Sequence, residues 1–279
     1  MIQDKRMKLS TEGGSPLLGA YSLVRRSGFL QTSLGSWCFK SAYFLYKRTI
    51  EDDLRDLVEA FPAMTGGGDV LDIGANIGYT AMVLARATAP GRKVYAFEPE
   101  AFNFRILQQT ALKPKFQGKI IALQYAVGAE DGTVDLWMNQ RHHADHRILT
   151  QQFRSEHPEL RGAAVNLVSI DSFLETRPGN ISLAKIDVQG YELAVCQGMQ
   201  DTLRRNPGIC VVLEFMPSAM REMGFDPSHL IDFFVQRDFK VYLVHRRGKL
   251  TEGLPTVKND SDYFDLLFSR RPMACAGES

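Results

Sequence analysis

The 279-residue chain is long enough to build one large domain with a sizeable core, or one domain with an extension. With 33 Lys and Arg against 32 Asp and Glu the formal net charge is +1, which excludes a field built to gather nucleic acid or an anionic membrane surface. Cys38, Cys196, Cys210 and Cys275 form no C-x-x-C pair and no metal-ligand spacing, so a disulfide scaffold and a zinc module are excluded too, and a reducing, cytoplasmic setting is expected.

Residues 1–16 are charged, contain glycine and lack a hydrophobic period, so they read as loosely ordered. Thr11, Glu12, Gly13, Gly14 and Pro16 interrupt any apolar core after Lys5, Arg6 and Lys8, so no signal peptide is expected. Nowhere do about 18 apolar residues run together, as a transmembrane helix requires. Residues 17–48 are rich in Tyr, Phe and Leu, hold Trp37, and are interspersed with Arg25, Arg26, Lys40, Lys47 and Arg48. They predict two short helices that cap the rest of the chain, with a substrate lid or a homodimer contact as other roles. The organisation is therefore an extension and cap over 1–48 and a main domain over 49–279.

A helix opens at Thr49, a suitable N-cap, with Glu51, Asp52 and Asp53 where the helix dipole favours negative charge. It stops near Phe61-Pro62, and Gly66-Gly67-Gly68 breaks the chain before a strand, Val70-Leu71-Asp72-Ile73. The turn Gly74-Ala75-Asn76-Ile77-Gly78 follows, then a helix over 80–87, then a strand over 93–97 that closes on Glu98-Pro99. Strand, glycine turn, helix, strand and terminal acid make a nucleotide-binding βαβ unit. Gly74 and Gly78 let backbone approach a ligand, the amino end of the helix offers unpaired N–H groups, and Glu98 can accept from both hydroxyls of a ribose. The turn lacks two glycines of G-x-G-x-x-G, and Asp72 places negative charge beside it. That suits the cationic sulfonium and amino group of S-adenosylmethionine better than a pyrophosphate. A glycine turn that binds nothing is the alternative.

A helix over 100–112 leads to a third strand over 120–127, whose end places Ala126 and Val127 as further cofactor contacts. Residues 132–138 and 164–168 alternate with period two and predict an added β-ribbon. Between them, residues 139–162 form a long polar loop holding His142, His143, His146 and His157. Strand four covers 181–187, a helix 191–203, strand five 210–215, a helix 227–237, strand six 240–244 and strand seven 263–268. The expected fold is α/β and Rossmann-like: a seven-stranded, mainly parallel sheet covered by helices on both faces, with one of the last two strands antiparallel. Gly74, Glu98, Val127, Asp187 and Glu214 all fall at carboxyl ends of strands, where such sheets bind ligands.

Three stretches, Val70-Leu71-Asp72-Ile73-Gly74-Ala75-Asn76-Ile77-Gly78, Phe97-Glu98-Pro99 and Lys185-Ile186-Asp187-Val188-Gln189-Gly190-Tyr191-Glu192, together resemble the FkbM family of S-adenosylmethionine-dependent methyltransferases. Val212-Leu213-Glu214-Phe215 is similar to the family's fifth strand, and Gln189 stands where the family most often has Glu. The resemblance implies a class I methyltransferase fold over about residues 49–268 and methyl transfer to a hydroxyl of a sugar, glycan or natural product.

Such a transfer needs an acceptor oxygen in line behind the methyl carbon and a base to take its proton. Asp187 is the first candidate base, although a carboxylate there could instead bind the cofactor's amino group or cap the next helix. His146 is the second, in a loop triplet whose Asp145 and Arg147 are candidate substrate contacts. Glu192 and Glu214 complete the candidate substrate set, with the helix dipole an alternative reason for Glu192. His142, His146 and Asp187 could hold a divalent metal, but their spacing matches no ligand pattern and a metal is not favoured. A nucleic-acid methyltransferase is disfavoured because Asp187 is followed by Val188-Gln189 and not by a proline turn, and no Pro-Cys nucleophile exists. A non-catalytic S-adenosylmethionine-binding protein of the same fold and a nicotinamide oxidoreductase are the two further rivals.

Overall fold

The computed structural model describes residues 53–138, 146–177, 179–259 and 262–273. The extension and cap expected over 1–48, the dimer contact assigned to it, and His142, His143 and Asp145 lie outside the described residues.

Helix α1 (Asp53–Ala60) has Asp53 and Asp56 in its first turn and buries Leu57 and Val58. A single turn, α2 (Ala63–Gly66), leads to β1 (Asp69–Ile73), which is buried from Val70 onward. Its side chains alternate between two cores: Val70 packs with Leu57, Val94, Leu183 and Tyr242, and Leu71 and Ile73 pack with Phe97, Ile186, Leu213 and Phe268. Because both faces are covered, the strand reads as a continuous apolar run. Helix α3 (Tyr79–Ala87), β2 (Val94–Phe97), α4 (Ala101–Ala111) and β3 (Ile120–Leu123) continue the alternation. Glu100 starts α4 by accepting the Asn103 N–H at 2.7 Å, so one of the helix's orphan donors is satisfied by a side chain.

The chain then leaves the main sheet. The strand expected over 120–127 is split, with β4 (Ala126–Val127) belonging to a second sheet. That sheet also contains β5 (Gly132–Trp137), β6 (Arg147–Ile148) and β7 (Gly162–Val168), in the order β4-β7-β5-β6. β5 and β7 run antiparallel from Gly132 opposite Leu167 to Trp137 opposite Gly162, while β4 lies parallel to β7. The two-stranded ribbon is thus half of a four-stranded sheet, and the long loop contains β6 and helix α5 (Gln151–Glu156), capped by Thr150. Trp137 and Phe153 meet at 6.2 Å, so these added pieces have a small apolar core of their own.

Helix α6 (Ile170–Glu175) and β8 (Ile181–Ile186) return the chain to the main sheet. The helix expected over 191–203 is two, α7 (Glu192–Gln197) and α8 (Gln200–Arg205), separated at Gly198 and Met199. After β9 (Cys210–Phe215) come α9 (Pro217–Glu222), α10 (Pro227–Val235), β10 (Lys240–Val244), β11 (Leu250–Glu252) and β12 (Phe264–Ser269). The main sheet has eight strands, not seven, in the order β11-β10-β12-β9-β8-β1-β2-β3. The extra one is β11, which folds back on β10 as an antiparallel edge strand. β12 inserts between β9 and β10 and is antiparallel to both, so the sheet is mixed and five neighbouring strands from β9 to β3 are parallel. Among the described residues no helix is long and apolar enough to cross a membrane.

Candidate active site

The two glycines of the first turn answer to packing between chain segments. Gly74 has φ +79°, and a Cβ on it would lie 1.9 Å from the carbonyl oxygen of Asp187 at the end of β8. Gly78 has φ +89°, and a Cβ there would lie 2.8 Å from Cδ1 of Leu107 on α4. Between them Asn76 also adopts a left-handed conformation, φ +49°, and its Oδ1 accepts the Ile77 N–H at 2.7 Å. This local bond offsets part of the strain, which is why Asn is among the few side chains found there.

The turn aims the Asn76 N–H at Glu98. Oε2 of Glu98 accepts that N–H at 2.9 Å and Oε1 accepts the Glu100 N–H at 3.0 Å. Glu98 is only 5% exposed, yet it lines the cleft. A carboxylate offers about four acceptor sites, so after these two backbone bonds and a further one from the Asn103 side chain it still has capacity for a hydroxyl donor. Burial pushes the Glu98 carboxyl up to about 8, with the nearby Glu100 charge adding to it and the backbone N–H groups of Glu100 and Asn76 opposing it.

Deeper in the cleft, the ends of β8, β9 and β12 bring several acids around one cation. Lys185 Nζ donates to Oδ2 of Asp187 at 3.0 Å, while Nε2 of Gln189 donates to Oδ1 of Asp187 at 3.0 Å and to Oε2 of Glu214 at 3.3 Å. Gln189 reaches both acids from a left-handed backbone, φ +56°. Glu214 and Asp265 stand directly opposite one another across β9 and β12, and like charges so placed repel. Burial, then the charges of Asp187, Asp265 and Glu192, raise the Glu214 carboxyl well above the usual carboxylate range, with Lys185 opposing them.

These groups surround a cleft of about 410 Å³ at the carboxyl ends of the parallel strands. That lies within the ~300–1,000 Å³ typical of small-molecule and cofactor sites. Of the candidates named from the sequence, Gly74, Asn76, Glu98, Ala126, Val127, His146, Asp187 and Glu214 line it together. Asp72, Gly78, Arg147 and Glu192 are not among its lining residues. Asp72 is fully buried behind the turn, where both its oxygens accept from the Thr80 hydroxyl at 3.0 and 2.8 Å. Its carboxyl is raised by burial and by Asp187, against Lys185, its partner across β1 and β8, and Thr80. Asp72 therefore fastens β1 to the start of α3. Arg147 turns to Glu222 on α9 and sits 5.7 Å from the Phe153 ring centroid. Glu192 is 2% exposed, and its Oε1 accepts the N–H groups of Val188 and Gly190, both at 3.1 Å, so it braces the β8–α7 turn from within.

Sequence reading missed Asp265, Gln189 as a bridge, and the rim tyrosines Tyr125 and Tyr263, all of which line the cleft. Asp265 could have been found as an acid interrupting an apolar strand, but its approach to Glu214 depends on the antiparallel register. Tyr125 is presented because the chain leaves the main sheet beside it. Among the described residues no group of three or more His, Cys, Asp or Glu side chains is placed to hold a metal ion.

A doubly covered α/β fold with a mixed sheet, and a cleft at the carboxyl ends of its parallel strands, is the architecture of a Rossmann-like protein. The methyltransferase FkbM domain matches residues 72–241, more than half of the chain, and the chain belongs to that family. No curated protein matches it. Similar solved structures include a methyltransferase FkbM from Methylobacillus flagellatus KT, 17% identical, with a TM-score of 0.45 over 72% of this chain and 43% of that one. The chain thus spans less than half the length of that protein. Others are a precorrin-6y C5,15-methyltransferase from Geobacter metallireducens GS-15, 10% identical, TM-score 0.44, over 79% of this chain and 88% of that one. A SAM-dependent O-methyltransferase from Thermotoga maritima is 11% identical, TM-score 0.39, over 79% of this chain and 65% of that one.

Proposed function

We propose that the protein is an S-adenosylmethionine-dependent O-methyltransferase acting on a hydroxyl of a sugar, glycan or natural product. The observation that carries the cofactor half is Glu98: a buried carboxylate beside the glycine turn, held by one backbone donor on each oxygen and by the Asn103 side chain, with accepting capacity left over. That acceptor fits a ribose edge, whose hydroxyls donate. Gly74, Asn76, Ala126 and Val127 would hold the rest of the nucleoside, and Asp72 and Gly78 would keep the turn in shape. S-adenosylmethionine, consumed as a substrate, supplies a methyl group on a positively charged sulfur.

What the chain's own residues contribute is orientation, exclusion of water and a place for the acceptor's proton. Among the described residues, titratable groups that line the cleft include Asp187, Glu214, Asp265 and His146, with Lys185 a cation among them. The rim tyrosines and the acids suit a neutral hydroxyl compound better than a phosphorylated one, because an anion would meet Asp187, Glu214 and Asp265. The free, buried thiols of Cys196 and Cys210 are compatible with a cytoplasmic setting.

Titration calorimetry with S-adenosylmethionine, S-adenosylhomocysteine and NAD tests the cofactor assignment, with the two adenosyl compounds expected to bind and NAD not. Incubation of sugars and hydroxylated natural products with methyl-labelled S-adenosylmethionine then tests the reaction. Binding of NAD alone would replace the reading with a nicotinamide oxidoreductase. Binding of S-adenosylmethionine with no transfer to any hydroxyl, but transfer to RNA or protein, would move the activity to another acceptor.

A further inference from the structure

Asp187 and Glu214, two of the described groups that line the cleft, could each take the acceptor's proton, and their surroundings differ. Each oxygen of Asp187 already accepts a hydrogen bond, Oδ2 from Lys185 and Oδ1 from Gln189. A proton arriving on Asp187 would remove the negative charge that holds Lys185, a cation whose side chain is only 11% exposed. Protonation there takes from a nearly buried ammonium the carboxylate it donates to, which opposes the transfer. Glu214 is placed the other way round. It faces Asp265 across the strands and is flanked by Asp187 at the end of β8 and by Glu192 on α7. Its Oε2 shares the Gln189 amide with Asp187. A proton on Glu214 relieves repulsion from three acids and costs only the weaker attraction to Lys185.

We propose that Glu214, and not Asp187, receives the acceptor's proton during methyl transfer, an inference that rests on the methyltransferase reading above. The acceptor oxygen forms its bond to the methyl carbon as the carbon–sulfur bond breaks. The electron pair of that bond stays on sulfur, giving neutral S-adenosylhomocysteine, and the hydroxyl proton passes to the Glu214 carboxylate. Charge balances: a sulfonium and a carboxylate become a thioether and a carboxylic acid.

The groups that face Glu214 also explain how it becomes a base. With Asp187, Asp265 and Glu192 around it and, among the described residues, Lys185 to compensate, Glu214 favours its neutral form. A sulfonium in the same cleft adds a second positive charge and favours the carboxylate. The charged donor therefore readies the base, and the neutral product returns it to the acid form.

The test uses the whole chain and two known ligands. Calorimetry near pH 7 in buffers of different ionisation enthalpy counts the protons released on binding S-adenosylmethionine and S-adenosylhomocysteine. Glu98 contacts the ribose in both cases, so its contribution cancels in the difference. The wild type should release a larger fraction of a proton with S-adenosylmethionine, and Glu214→Gln should abolish that excess while binding both ligands. Asp265→Asn, a second variant that removes the facing charge, should shrink the excess because Glu214 is then more ionised beforehand. With an acceptor from the labelled screen, Glu214→Gln should lose roughly a hundred- to ten-thousandfold in turnover. An excess that is absent from the wild type, or that persists unchanged in Glu214→Gln, overturns the proposal while leaving the methyltransferase reading in place. If the wild type binds neither ligand, both fall.

Discussion

Gly74 and Asp187 are packed backbone to backbone, so tightly that a methyl group on Gly74 would lie 1.9 Å from the Asp187 carbonyl oxygen. The Asp187 N–H donates to the Ile73 carbonyl at 3.0 Å, which locks the end of β8 to the start of the glycine turn. One contact thus fixes the distance between the glycine-turn half of the cleft and its acidic floor.

Gly74→Ala must therefore move one of the two strands. The left-handed backbone alone costs an alanine about 1–2 kcal/mol, and the collision with a backbone oxygen adds to it because neither strand has a free end nearby. At roughly 2–4 °C per kcal/mol for a chain of this size, the melting temperature should fall by several degrees, with cofactor affinity falling alongside. A thermal melt and a titration on the same preparation check this. An unchanged melting temperature would mean that the two strands are not so constrained.

Glu98→Ala should lower affinity for S-adenosylmethionine and S-adenosylhomocysteine equally, by about ten- to a hundredfold, the equivalent of roughly 1.5–3 kcal/mol for hydrogen bonds to a charged group. Affinity should also depend on pH. Burial holds the Glu98 carboxyl up to about 8 in the free protein, and ribose hydroxyls favour the ionised form that accepts from them. Affinity is therefore expected to rise as pH increases toward 8 and then to level, and Glu98→Gln should lack that rise. A flat profile in the wild type would place the ribose elsewhere.

The strands were legible because each is an apolar run, bounded by Gly, Pro or acid, and because both sheet faces are covered. The glycine turn and Glu98 were legible for the same reason: their chemistry is local, carried by residues a few positions apart. What escaped depends on pairing distant segments. Nothing in residues 120–127 marks the point after Leu123 where the chain changes sheet, and the short β11 has too little pattern to count as a strand. Asp265 faces Glu214 only because β12 runs antiparallel to β9 in one particular register. Glu192 shows the converse: a carboxylate next to the site in sequence gives its Oε1 to two backbone N–H groups and does not line the cleft.

Lys185 balances Asp187 through a contact and Asp72 and Glu214 through charge. Lys185→Met removes the cation and leaves the acids. Since the pair lies between an exposed and a fully buried one, the loss should be roughly 1–3 kcal/mol. Adding Asp187→Asn should recover part of that loss, since the amide carries no charge to leave unpaired. Denaturant unfolding of the wild type, both single variants and the double variant gives the coupling directly. Strictly additive losses would show that the two side chains do not support each other.

Glu192 offers the clearest separation of charge from shape. Its Oε1 holds the Val188 and Gly190 N–H groups, whereas its buried Oε2 has no hydrogen-bond partner, which leaves room for a proton there. Burial pushes this carboxyl up to about 7, against the backbone N–H groups of Glu192 itself, Gly190 and Val188 and with the Asp187 charge adding to the rise. The folded protein therefore binds this proton more tightly than the unfolded chain does. The resulting stability is fully present below the ordinary glutamate range, near pH 4.5, and is lost as pH rises through about 7. Glu192→Gln keeps an oxygen for the two N–H groups but cannot ionise, so it should flatten the fall in stability between those limits and gain on the wild type above pH 7. Glu192→Ala removes the acceptor itself and leaves two donors of the turn unsatisfied, each worth about 1–3 kcal/mol, so it should be less stable at every pH. Melting curves from pH 4.5 to 8.5 distinguish the two variants; a Glu192→Gln slope identical to the wild type would show that this carboxyl does not titrate in that window.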